Sequence, residues 1–212
     1  MAQPPTVDEL FIAGSPEPWA TAGFAVSGDT CEVGSVRLRF GGEGRGILAW
    51  SVRDVNGHGL DGLDTRASVE PPAAAGPHPN GTLSIDHLVV ISPDLDRTAG
   101  VLREAGFDFR RLREGDTPGG SRRQAFFRMG EVLLEVVEAP PDTKIAADPS
   151  GPARLWGISF LVDELETPAA ALGDALGQPR DAVQPGRRIA TVATAAGLGP
   201  AVAFMTPGRG AA

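Results

Sequence analysis

The sequence predicts an α+β fold built from repeats of one βαβββ order, and three observations carry that reading. The β-rich run Ile85-Asp86-His87-Leu88-Val89-Val90-Ile91 precedes apolar residues at helical spacing, Leu95, Ala99, Leu102 and Ala105, and then three more strand-like runs. The same order recurs between Leu155 and Met205. A worn copy begins at Val7, where the helix signal is almost lost.

In that first copy, Val7 to Ala13 reads as the opening strand, while Pro16, Pro18 and Gly23 leave room for about one helical turn. Strands resume at Val33 to Phe40 and Gly46 to Val52, so residues 1–53 form a degenerate module. Gly41-Gly42-Glu43-Gly44-Arg45 joins two strand patterns and lacks the strand-to-helix context of a phosphate loop, so it reads as a hairpin. Residues 54–83, rich in glycine and proline, read as a linker, and His58 and His78 fall within it as solvated loop residues.

The middle module, residues 84–139, is the clearest. Ser92-Pro93 offers an N-cap and a first-turn proline, and Gly106 stops the helix. Strands follow at Phe107 to Leu112, Gln124 to Met129 and Glu131 to Val137, with Gly130 at a tight hairpin. Ala139 to Pro152 is a second linker. The C-terminal module, residues 155–207, opens with Leu155 to Val162; Thr167-Pro168 then starts a helix bearing Leu172, Ala175 and Leu176. Its strands fit Asp181 to Gln184, Arg188 to Thr194 and Pro200 to Met205.

Composition narrows the function classes. A chain of 212 residues that is 42% hydrophobic can bury a core. A net charge of −8 disfavours phosphate backbones, so nucleic acid is not an expected partner. No apolar run reaches the length of a membrane helix, and the N-terminus has no signal-peptide pattern, so the expected location is cytoplasmic. Cys31 is the only cysteine and reads as a small apolar filler. Lys144, the only lysine, lies in a loop, which argues against Schiff-base chemistry.

The strand Ile85 to Val90, the Ser92-Pro93-Asp94-Leu95-Asp96 helix start and the final strand Gly130-Glu131-Val132-Leu133-Leu134-Glu135-Val136-Val137 resemble the vicinal oxygen chelate superfamily of glyoxalases, extradiol dioxygenases and bleomycin-resistance proteins. The likeness covers Ser84 to Pro207 well and Val7 to Val52 weakly. It implies paired βαβββ modules whose curled mixed sheets enclose a cavity, with a divalent metal held from the first and last strand of each module. Assembly module against module, common in that superfamily, would allow a homodimer.

Alternation along the strands supports a site independently of the likeness. His87, Val89 and Ile91 share one face, as do Leu133, Glu135 and Val137, whereas Leu88 and Val90 take the opposite face of the first strand and Val132, Leu134 and Val136 make a wholly apolar opposite face of the last, suited to burial under the helix. His87 and Glu135 are therefore expected to look into one cavity, either as a functional pair or as a structural hydrogen-bonded one. In register, the family's first-strand ligand position holds Glu9, His87 and Gly157 in the three copies, and the last-strand position holds Trp50, Glu135 and about Ala203. The candidate metal set is thus His87, Glu135 and Glu9, and metal binding is expected to be weak or absent unless Glu9 joins.

Two functions remain open for the cavity, beside a structural or dimerisation role for the extra N-terminal module. One is a metal-dependent lyase, isomerase or dioxygenase acting on a small oxygen-bearing metabolite, with Glu135 moving the proton. The other is metal-free binding of a small molecule between aromatic walls, similar to the bleomycin-resistance branch. Trp50, Phe126, Trp156, Phe160 and Phe204 are candidate walls. Among Arg122, Arg123, Arg128, Arg187 and Arg188, strand placement singles out Arg128 and Arg188 to engage an acidic substrate. No nucleotide cofactor is expected.

Overall fold

The computed structural model describes residues 3–57, 59–68, 71–117 and 120–208, so His58 lies outside the described residues. Thirteen strands form two mixed sheets, with only three α-helices among the described residues. The middle module comprises β6 (Thr82–Ser92), α2 (Leu95–Glu104), β7 (Asp108–Thr117), β8 (Gly120–Met129) and β9 (Val132–Glu138). The C-terminal module comprises β10 (Arg154–Val162), α3 (Glu166–Leu172), β11 (Arg180–Asp181), β12 (Arg188–Thr191) and β13 (Ala201–Met205). Their strands make one sheet in the order β11-β12-β13-β10-β6-β9-β8-β7. The first strands β6 and β10 pair antiparallel at its centre, and each is flanked by the parallel last strand of its own module.

The apolar faces become core as alternation requires. Leu88, Val90, Leu134 and Val136 are fully buried and share a hydrophobic cluster with Leu95 and Leu102 of α2. Each such side chain contributes about 1.5–3 kcal/mol. Helix α2 is capped by Asp94, whose carboxylate accepts from the Arg97 N–H at 3.0 Å. Ser92, expected as the cap, lies two residues earlier and bonds the Thr98 hydroxyl at 2.6 Å and the Asp94 N–H at 3.0 Å.

The N-terminal region holds β1 (Thr6–Ile12), α1 (Glu17–Thr21), β2 (Thr30–Val33), β3 (Val36–Phe40), β4 (Ile47–Arg53) and β5 (Thr65–Ala67). They form a second sheet in the order β2-β3-β1-β4-β5. Here β1 and β4 pair antiparallel at the centre, flanked by their parallel partners β3 and β5. The small sheet is therefore a contracted copy of the large one, with β4 in the place of a first strand. This corrects two expectations. The strand at Gly46 to Val52 does not close the N-terminal module, and the glycine-rich segment is not a hairpin, because β1 lies between β3 and β4. The segment instead crosses the end of β1: Gly41 N–H donates to Ile12 O at 3.0 Å, and Ala13 N–H donates to Gly46 O at 3.0 Å. Gly42, at φ +79°, adopts a backbone that other residues resist.

The segment 54–83 is not a plain linker, because its described residues include a 3-10 turn at Leu60–Gly62 as well as β5 and the start of β6. Asp61 in that turn receives the Arg97 guanidinium at 2.8 Å and the Thr98 hydroxyl, tying the segment to α2. His78 is buried rather than solvated, and its Nδ1 accepts the Ala25 N–H at 3.0 Å. Cys31 is buried as expected, and burial pushes its thiol up to about 12.

Candidate functional site

The middle and C-terminal modules enclose a cavity of about 750 Å³, within the range of small-molecule sites. His87, Val89 and Ile91 of β6 and Glu135 and Val137 of β9 line one wall. Parallel pairing sets Val89 beside Glu135, so His87 and Glu135 lie one pleat apart on neighbouring strands. The His87 Nε2 and a Glu135 carboxylate oxygen are 3.8 Å apart, with both side chains largely buried.

A bulge tunes this pair. Ser159 and Phe160 of β10 are consecutive, but their partners His87 and Ile85 are not, so Asp86 is the extra residue. A bulge re-aims side chains and brings neighbours towards the same side. Asp86 accepts from His87 Nδ1 at 2.8 Å, and its other oxygen accepts from Arg187, whose Nε donates to Thr206 O at 2.8 Å. Burial alone would raise the Asp86 carboxyl, but the hydrogen bonds and charges of His87 and Arg187 outweigh it and hold the group below its ordinary value. With Nδ1–H bound to Asp86, the Nε2 lone pair faces Glu135 and the cavity. The other Glu135 oxygen accepts from the Gln124 amide.

Ser159 sits directly opposite His87 across the β6–β10 ladder and lines the cavity. It is 2% exposed, and its hydroxyl oxygen has no hydrogen-bond partner among the described residues. A second bulge, at Trp156, leaves that indole 52% exposed at the cavity edge. Gly157 follows it. A Cβ there would meet the Ala201 carbonyl oxygen at 2.9 Å, so close strand approach itself bars a side chain.

The donor set does not fit a tightly held divalent ion. Of the four positions the family uses in these modules, His87 and Glu135 carry donors, while Gly157 and Ala203 carry none. Zinc takes three or four protein ligands, and harder cations take more oxygens than remain. Among the described residues no group of three or more His, Cys, Asp and Glu could hold a metal ion.

Several expected site residues are elsewhere. Glu9 lies in the small sheet, where Arg39 pairs with it at 2.8 Å and a separate cavity of about 230 Å³ adjoins it. Pairing places Glu9 beside Arg37 and Phe11 beside Arg39, so Arg39 occupies the position corresponding to Glu135 and neutralises Glu9. Trp50 is core: its indole N–H donates to Thr65 Oγ1 at 2.7 Å and its ring stacks on Phe107. Phe160 is fully buried among Trp19, Phe24 and Phe204 on the face away from the cavity, so neither Phe160 nor Phe204 is a wall.

Phe126 stands opposite Glu135 but is covered by Arg111, whose guanidinium is 4.8 Å from the ring centre, and does not line the cavity. Arg128 turns outward to bond Glu131 O at 2.9 Å, and exposed Arg188 lies 3.8 Å from Glu166. Of the aromatic and arginine contacts singled out, only Trp156 lines the cavity, while Arg122, named among the arginines but passed over for Arg128 and Arg188, lines it too. Asp86, Ser159 and Gln124 were not anticipated. Apolar residues at Ile85, Leu88 and Val90 break strict alternation, and this spacing is the sequence trace of the Asp86 bulge.

The model of the Glyoxalase/Bleomycin resistance protein/Dioxygenase superfamily matches residues 84–190, and the chain belongs to that family. The matched segment spans the middle module and most of the C-terminal one, the two that enclose the cavity. Among solved structures, a triple mutant of 4-hydroxymandelate synthase from Streptomyces coelicolor is similar at TM-score 0.60 and 13% identity, over 95% of this chain and 91% of that one. A xylose isomerase-like TIM barrel/4-hydroxyphenylpyruvate dioxygenase fusion protein is similar at TM-score 0.63 and 14% identity, over 98% of this chain and 50% of that one. At these identities the likeness shows the fold alone. No match is found among curated protein sequences.

Proposed function

We propose that this chain binds a small organic molecule in the cavity between its middle and C-terminal modules without a resident metal ion. The observation that carries the reading is the pair Gly157 and Ala203, which leaves His87 and Glu135 as the only donors at the family's ligand positions. Val89, Ile91 and Val137 supply apolar wall, and His87, Glu135 and Ser159 supply a small polar floor that orients the ligand. Thermal-shift screening of a metabolite library, run with and without EDTA, tests it. Stabilisation by organic ligands that survives EDTA supports the reading; stabilisation that EDTA abolishes overturns it.

The Asp86–His87 hydrogen bond favours a second reading for the same site, metal-independent proton transfer. Asp86 fixes the imidazole tautomer, and His87 Nε2 and Glu135 then converge as base and acid on one point in the cavity. Solvent deuterium entering a bound ligand in the presence of EDTA, and lost in Glu135→Gln, would distinguish catalysis from binding.

A further inference from the structure

We propose that strand β7, the outer edge of the large sheet, is a docking surface for an extended acidic segment of a partner protein, which adds to the sheet as a further strand. β7 ends the strand order and pairs with β8 alone among the described residues, so alternate backbone N–H and C=O groups along its outer side have no strand beside them. The β7–β8 hairpin carries six arginines against three acids in a chain of net charge −8, a local reversal of sign. Arg110, Arg123 and Arg128 are committed: Arg110 to Asp108 at 3.1 Å, Arg123 to Asp96 at 2.9 Å, and Arg128 to Glu131 O at 2.9 Å. Arg111, Arg113 and Arg122 are exposed and have no ion pair among the described residues.

Strand register puts those three charges together. Arg111 pairs with Phe126, Arg113 with Gln124 and Gly115 with Arg122, so the three arginines rise from one face of the hairpin. Arg111 and Arg113 start about 7 Å apart along β7. Arg122 starts about 7–8 Å from Arg113 as its diagonal neighbour on β8. The Phe126 ring holds the Arg111 guanidinium 4.8 Å from its centre without neutralising it. Leu112, between the two β7 arginines, takes the other face and is 45% exposed. An added strand that alternates acidic and apolar residues answers both faces: carboxylates two residues apart meet Arg111 and Arg113, and the residue between them covers Leu112. A second copy of this chain does not fit, because β7 paired antiparallel with itself about Leu112 sets arginine opposite arginine. Arginines that only guard the edge against self-association would bind no such peptide.

Fluorescence anisotropy of the labelled peptide Thr-Glu-Val-Glu-Val-Glu-Thr, titrated with the full chain, tests the assignment. The expected result is saturable binding, with at least tenfold weaker binding of Thr-Gln-Val-Gln-Val-Gln-Thr and a similar loss in the Arg111→Gln/Arg113→Gln double variant. Arg128→Gln, which removes an equal kind of charge elsewhere on the hairpin, should leave binding unchanged. Of two acidic peptides N-methylated at the glutamates or at the valines, only one should lose binding, because an added strand turns alternate amides towards β7. The peptide comparisons need no variant to fold. Equal binding of the acidic and glutamine peptides would overturn the charge match, and retention by both N-methylated peptides would overturn strand addition. No binding at millimolar concentration would leave the arginines as edge guards and overturn the docking surface, with the cavity reading untouched.

Discussion

Asp86 and His87 are consecutive residues of one strand, yet their side chains meet, with Asp86 Oδ2 2.8 Å from His87 Nδ1. In a regular strand they would point to opposite faces. The bulge opposite Ser159 brings them together, and the imidazole thereby gains a fixed tautomer and a fixed direction.

Replacing Asp86 by Asn should therefore act on the imidazole as well as on stability. Arg187 would lose its charged partner in a largely buried setting, at an expected cost of about 2–3 kcal/mol. Long-range nitrogen NMR should show His87 protonated at Nδ1 in the parent chain and a tautomer mixture in the variant. Equal tautomer spectra would show that Asp86 does not orient the ring.

His78 sets a pH dependence of known sign. Burial lowers its pKa from the ordinary 6.5, with only partial compensation by a backbone hydrogen bond. The unfolded chain thus takes up the proton first, so stability should decline as pH falls below about 6.5. His78→Asn, which keeps an acceptor near the Ala25 N–H, should flatten that slope in pH-resolved thermal unfolding. An unchanged slope would assign it to other groups.

Gly157→Ala tests the steric argument for the missing ligand. Its Cβ would lie 2.9 Å from the Ala201 carbonyl, so β10 and β13 must separate slightly. The expected loss is roughly 1–3 kcal/mol by denaturant unfolding, typical of overpacking. A neutral result would mean that the strands yield easily and that Gly157 was not required by packing.

The middle module was legible in the sequence because its signals are local. Alternation from Leu88 to Ile91 and from Val132 to Val137 fixes which residues share a face, and parallel pairing of β6 with β9 then brings His87 within one pleat of Glu135. The small sheet was not legible because its order depends on which strand lies between β3 and β4, a non-local choice that Gly41 to Gly46 does not encode. Placing Trp50 in a last strand followed from that error. Phe160 and Phe126 show a further limit: a large aromatic on a strand has the same pattern whether it faces ligand, core or an arginine. Ser159 was hidden because a single serine in an apolar strand carries no periodic signal, and its importance arises only from lying opposite His87.

If His87 and Glu135 are the only donors at the family's ligand positions, the cavity works without a metal, and calorimetric titration of chelator-stripped protein with Zn²⁺ and Mn²⁺ checks this. The expected result is no stoichiometric site tighter than micromolar, with the same weak heats in His87→Ala. Stoichiometric binding in the nanomolar range, lost in both His87→Ala and Glu135→Ala, would contradict it.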